Sequence, residues 1–120
     1  MSTLNVSNIT DGTTTVGTSY VVNGSAKAWA TLTFNFSTVL DSLNVSSGTD
    51  LGTANSRINY TNNLTGYPSA SVAADASSQA PWFTVVDSVS TSSCSSVTFN
   101  INGGKQDGRI PYYIVMGDLA

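Results

Sequence analysis

Apolar residues along the chain recur with a period of two, in short runs broken by Gly, Asn, Asp and Pro. That is the signature of half-buried β-strands. No long segment places apolar residues at i, i+3, i+4 and i+7, as a helix face requires. The pattern predicts strands over residues 4–9, 15–22, 26–36, 40–46, 56–60, 69–76, 82–88, 97–101 and 109–116. Asp11-Gly12 and Asn23-Gly24 are turn pairs, and Asn-Gly is a strong short hairpin signal because a type I′ turn needs positive φ twice. "SSGTDLG" (46–52) reads as a loop with two glycines, and "NGGKQDG" (102–108) as a hairpin loop before the last strand. No helical pattern separates the strands, so parallel crossovers are not expected. The expected fold is all-β: a single antiparallel β-sandwich or small barrel, jelly-roll-like, of about eight short strands. With no linker and no charge block, residues 13–120 read as one β domain and residues 1–12 as an N-terminal arm or edge strand.

Two strands carry more than their existence. Over residues 26–36 the even positions Ala28, Ala30, Leu32, Phe34 and Phe36 make a core face. Lys27 and Trp29 fall opposite. Over residues 109–116 both faces are apolar: Ile110, Tyr112, Ile114 and Met116 on one, Pro111, Tyr113 and Val115 on the other. A strand apolar on both faces is unusual where one face meets water. A second copy of the chain is the expected cover, the alternative being a third layer made by the N-terminal segment, and the face of Trp29 is expected to pack on a neighbouring subunit or a second element rather than to meet solvent. Lys27 would lay its stem along that surface and keep its ammonium wet.

Composition narrows the classes. Hydrophobic residues make up 40% of the 120 positions and charged ones only 9%, against about 25% charged in an average domain. Ser, Thr, Asn and Gly fill the gap, which suits strands whose outer faces carry hydroxyls and amides. The net charge is −3, and Lys27, Arg57, Lys105 and Arg109 are scattered, so no nucleic-acid surface is expected. No apolar run approaches the 18 or so residues of a membrane span. The N-terminus has no basic start or apolar block of a secretory signal. Asn-x-Ser/Thr occurs seven times, at Asn5, Asn8, Asn23, Asn35, Asn44, Asn59 and Asn63, as expected by chance in a chain this rich in those residues.

Catalytic constellations fail on residue types. The chain has no His and no Glu, so Ser-His-Asp and Cys-His arrangements are impossible. Its Asp residues fall in unrelated segments. The lone Cys94 forms no internal disulfide and has no base beside it in sequence. No metal or cofactor is expected, and the chain is not expected to be an enzyme. What remains is a surface. Trp29, Trp82, Tyr112 and Tyr113, with Lys27, are the candidate anchors for a subunit interface or a ligand, since Trp and Tyr bring large contact area at low entropy cost.

The run "VNGSAKAW" (22–29), then "LDSLNVSSGTDLGTANSRINYTNNL" (40–64), a weak "YPSASVAADAS" strand and a closing "PYYIVMGDL" resemble a module of tailed bacteriophages. That module recurs in tail-fibre tips and other virion surface proteins. The likeness covers residues 20–76 well and the last ten loosely. It departs at Ala54, where the family tends to have Gly, and at Ser56-Arg57. The resemblance implies a non-enzymatic, β-rich, homotrimeric virion component. The short chain suits a capsid decoration, or cement, protein on the virion surface. Its partner would be the major capsid protein, contacted by an N-terminal arm through Leu4, Val6 and Ile9. The alternative is a tail-fibre tip that binds a tail adaptor and contacts host glycan.

Overall fold

The structure is a computed structural model; it describes residues 2–3, 5–74, 82–107 and 110–120. In chain order it contains β1 (Asn8–Thr10), β2 (Thr15–Gly17), α1 (Thr18–Gly24), β3 (Ala26–Leu32), β4 (Val39–Leu43) and β5 (Val45–Gly52). Then follow β6 (Asn55–Tyr60), β7 (Leu64–Ala74), β8 (Trp82–Val89), β9 (Ser93–Asn100) and β10 (Pro111–Leu119). Every strand pairing is antiparallel. Sheet I has the order β4-β3-β10-β7 and sheet II the order β5-β6-β9-β8; β1 and β2 form a separate hairpin. The all-β expectation holds. Neither four-stranded sheet closes on itself, so the barrel alternative falls away.

Both sheets feed one core. Ala28, Ala30, Leu32, Leu64, Tyr113 and Val115 of sheet I cluster with Ile58, Tyr60 and Cys94 of sheet II. Ala28 and Ala30 are small, and β10 lies beside them in register, with Tyr113 opposite Ala30 and Val115 opposite Ala28. The small residues leave room for the Tyr113 ring. Its hydroxyl reaches sheet II and meets Ser56 Oγ and Ser96 Oγ, each at 2.6 Å, while the two serines sit 3.0 Å apart. Each hydroxyl can donate once and accept twice, so the three close a ring of hydrogen bonds. Polar groups buried between sheets are tolerated when satisfied in this way. Gly48 marks another close approach. A Cβ there would lie 2.8 Å from the Phe36 carbonyl oxygen and 2.9 Å from Leu32 Cδ2.

Four local expectations are corrected. The strand expected over residues 15–22 is only β2, and Thr18–Gly24 is helical. "TSYVVNG" has weak helix propensity and no side-chain cap at its start. A side-chain contact from just beyond its last turn supports it (below). Asn23-Gly24 therefore ends a helix instead of turning a hairpin. The strand expected over 26–36 stops at Leu32. A turn follows in which Thr33 N bonds Thr38 O and Phe36 N bonds Thr33 O, each at 2.9 Å. It breaks the alternation, so Phe34 swings out while Phe36, at φ 63°, returns to the core. "SSGTDLG" is strand, most of β5, and not loop. Its β-hairpin partner β6 begins after Thr53 and Ala54. Finally, "NGGKQDG" joins no hairpin: β9 pairs with β6 and β8, whereas β10 belongs to sheet I. The loop crosses between sheets, and Asn100 shapes it by accepting from Asn102 N at 3.0 Å and Gly104 N at 2.9 Å.

The molecule measures 50 × 29 × 24 Å with a radius of gyration of 16.9 Å. A compact domain of this length has about 14 Å. The accessible surface is 7250 Å², against about 6,100 Å² for a compact monomer of this mass.

Candidate assembly face

The outer face of sheet I is built by register. Residues directly opposed on antiparallel strands share a face. One row across the four strands is Leu43, Trp29, Ile114 and Ser71. The next is Asp41, Thr31, Tyr112 and Ala73. Met116 opposes Ser69 beyond them. Ile114 is 53% exposed and Tyr112 41%, and Leu43 and Met116 also lie open. Bulky apolar groups thus sit on β4, β3 and β10, while the β7 edge carries small residues. Between them Ser69, Ala70, Ser71, Ile114 and Met116 line a shallow depression of about 170 Å³.

The sequence candidates separate on this geometry. Trp29 and Tyr112 lie on the face, together with Ile114 and Met116 of the doubly apolar last strand. Tyr113 does not. It points into the core, 1% exposed, and parity along β10 makes that unavoidable once Tyr112 faces out. Burial pushes its phenol up to about 12, against the opposing effect of the Ser56 and Ser96 hydrogen bonds. Trp82 belongs to sheet II, at its β8 edge opposite Asn100. It shares a side with the partly buried Thr84 and Val86, so it is remote from Trp29 in the sheet order.

Lys27 is not wet-headed as expected. It is buried, and its ammonium donates to the Ser25 carbonyl and Ser25 Oγ, each at 2.8 Å, and to the Val22 carbonyl in the last turn of α1. A cation at a helix C-terminus satisfies otherwise unpaired carbonyls and complements the helix dipole. Lys27 falls at an irregularity of the β3–β10 register, where Met116 opposes Ala26. It is a brace for α1, not a surface anchor.

Of the arm candidates, Leu4 lies outside the described residues. Val6 and Ile9 are exposed. Ile9 faces Val16 across the β1–β2 hairpin. Thr18 ties this hairpin to the start of α1: its Oγ1 donates to Val6 O at 3.0 Å and its N donates to Ser7 O at 2.9 Å. Leu43 is not among the sequence candidates, because the pattern over residues 40–46 assigns the strand no face. It also placed Phe34 in the core.

Cys94 is fully buried, and burial pushes its thiol up to about 11, so it is protonated and unreactive at neutral pH. Among the described residues no three His, Cys, Asp or Glu side chains gather as metal ligands, and no helix is long and apolar enough to cross a membrane. The chain matches no protein-family model, no curated protein and no solved structure.

Proposed function

We propose that the chain is a non-enzymatic structural protein of a bacteriophage virion: a capsid decoration protein that assembles as a homotrimer and stabilises the capsid surface. The observation that carries the assembly claim is the open apolar face of sheet I, centred on Trp29 and Ile114. The phage assignment rests on the sequence resemblance alone. Bulky Trp29, Tyr112 and Ile114 sit beside a strip of Ser69, Ser71 and Ala73 on the same sheet. Bulk on one copy fitting the strip of the next is a head-to-tail contact, which closes into a ring if the rotation permits. In this reading the two sheets form a sandwich, jelly-roll-like in shape. The β1–β2 hairpin, with Val6 and Ile9 open, contacts the major capsid protein.

The test is incubation of the purified protein with capsids stripped of surface proteins, followed by sedimentation. Co-sedimentation at hundreds of copies per particle, with a raised capsid melting temperature, supports the reading. A few copies confined to the tail, or no binding, contradicts it. The tail-fibre-tip alternative draws on one observation: Tyr67, beside Gly66 at φ 65°, is fully exposed. Such a ring suits stacking on a host glycan. That reading gains only if cell-surface glycan captures the protein and Tyr67→Ala abolishes capture.

A further inference from the structure

The β1–β2 hairpin and α1 meet at Thr18, and local preference and observed structure part there. The hairpin pairs Asn8 with Gly17, Ile9 with Val16 and Thr10 with Thr15. One step further along the register Ser7 opposes Thr18, and that step is already taken. Thr18 N donates to Ser7 O at 2.9 Å, and Thr18 Oγ1 donates to Val6 O at 3.0 Å. Beyond Thr18 the chain leaves the ladder for α1. The sequence of α1 does not favour the helix. Val21 and Val22 are β-branched and suit a strand. Gly17 supplies no side-chain cap, and no acidic residue stands in the first turn. The helix has 7 residues, fewer than the about 12–15 that an isolated helix needs in water. Val21 and Val22 are exposed, so the helix buries neither. Lys27 holds its far end, with the ammonium on the Val22 and Ser25 carbonyls. Across the hairpin Thr3, Asn5 and Val6 are exposed and lie in no strand.

We propose that Thr18–Gly24 is a helix-to-strand switch held in its helical state by Lys27. Released from Lys27, the segment continues β2 and zips the hairpin toward the N-terminus. Val6 then opposes Ser19, Asn5 opposes Tyr20 and Thr3 opposes Val22. A register slipped by one residue would break the bond that Thr18 N already makes to Ser7 O. Val16 and Val22 fall on one face of the lengthened strand, and Ile9 joins them from across the hairpin. The ladder enlists the backbone of residues 3 and 5–7 together with that of 18–22. Two arrangements of one segment that lie close in free energy are exchanged by a single contact. A lengthened hairpin is also a longer arm. The inference concerns one chain and needs neither the phage reading nor the sheet I face, so it stands or falls separately from both.

The experiment is NMR of the full chain by chemical-exchange saturation transfer. In the wild type, residues 18–24 are expected to show helical carbon-13 shifts and a minor state of about 1% with strand-like shifts. The amides of residues 5–7 should report the same exchange process. Lys27→Met should raise the minor population about tenfold. Val21→Ala/Val22→Ala favours the helix and should lower it several-fold. A second variant traps the strand. Thr3→Cys/Val22→Cys puts thiols on opposed residues of the proposed ladder, whose Cα atoms lie about 5.5 Å apart, within disulfide reach. Cys94 is buried and does not compete. Mild oxidation should crosslink the pair and turn the shifts of residues 18–22 strand-like. If Lys27→Met does not fold, the crosslink decides alone. No crosslink, or a crosslinked chain that keeps helical shifts over 18–24, overturns the proposal. So does a minor state in Lys27→Met with unfolded-chain shifts, or one to which residues 5–7 do not respond.

Discussion

Tyr113 joins the two sheets through one oxygen atom. Its hydroxyl, with Ser56 and Ser96, forms a buried ring that no alternation pattern announces, because the serines read as polar and the tyrosine as surface. Tyr113→Phe removes the group that bonds both serines and leaves them short of a partner. A loss of about 1–3 kcal/mol is expected, measured as a lower urea midpoint with unchanged slope. Titration gives a second readout. In the fold the Tyr113 phenol is pushed from 10.0 up to about 12, and the Cys94 thiol from 9.0 up to about 11, both chiefly by burial. The native state therefore holds these protons more tightly than the unfolded chain. The contribution of these two groups is constant below about pH 9 and is lost as pH rises from about 9 to 12, where the unfolded chain loses protons first. For Tyr113 a shift of this size corresponds to about 2–3 kcal/mol. Tyr113→Phe should flatten the upper part of that fall, and an unaltered alkaline profile would contradict the placement. Ala54 offers a third case. It holds φ 63° in the β5–β6 turn, a conformation that costs a residue with a Cβ about 1 kcal/mol or more. The phage module tends to carry Gly at this position. Ala54→Gly relieves the strain but frees the unfolded chain by about as much, so a change in stability within about 0.5 kcal/mol is expected.

At the scale of elements, most strands are legible, and the face is legible only where the alternation is one-sided. Residues 28–32 and 56–60 alternate cleanly, and their parity gives the core side directly. β10 is apolar on both sides, so its parity is decided by Ala28 and Ala30 on the neighbouring strand. The sequence pattern holds no such cross-strand information. α1 was invisible for a related reason. Its residues favour strand, and the contact that stabilises the helix comes from Lys27, beyond its end. Lys27→Met keeps the stem and removes the donor. It should cost about 1–2 kcal/mol and raise amide exchange across residues 18–24 more than across β3. Uniform exchange over both would assign Lys27 to general packing instead. β5 was misread through its glycines: Gly48 is there because Phe36 and Leu32 leave no space for a side chain, not because the chain turns. Gly48→Ala should destabilise by about 1–3 kcal/mol, as overpacking does, read as a lower melting temperature.

The whole molecule is longer and more exposed than a monomer of 120 residues needs to be. Exposed apolar side chains occur on several elements, and one group of them is contiguous. Leu43, Tyr112, Ile114 and Met116, with the partly exposed Trp29 among them, share one side of sheet I. Half of that site was readable: the doubly apolar last strand and the odd-position Trp29 both pointed outward. The other half, Leu43 and the small-residue β7 strip, needed the strand order, which brings β4 and β7 to opposite edges of the same sheet. The most direct test is the solution mass of the wild-type chain beside that of Ile114→Asp, by mass photometry or light scattering across a dilution series. Three 12.4 kDa copies, about 37 kDa, are expected for the wild type as a closed ring. The variant should be a folded monomer with unchanged far-ultraviolet dichroism, since Ile114 is half exposed and its loss opens no cavity. A wild-type chain that stays monomeric at every concentration, or an Ile114→Asp variant that still assembles fully, would contradict the assignment of this face to self-assembly.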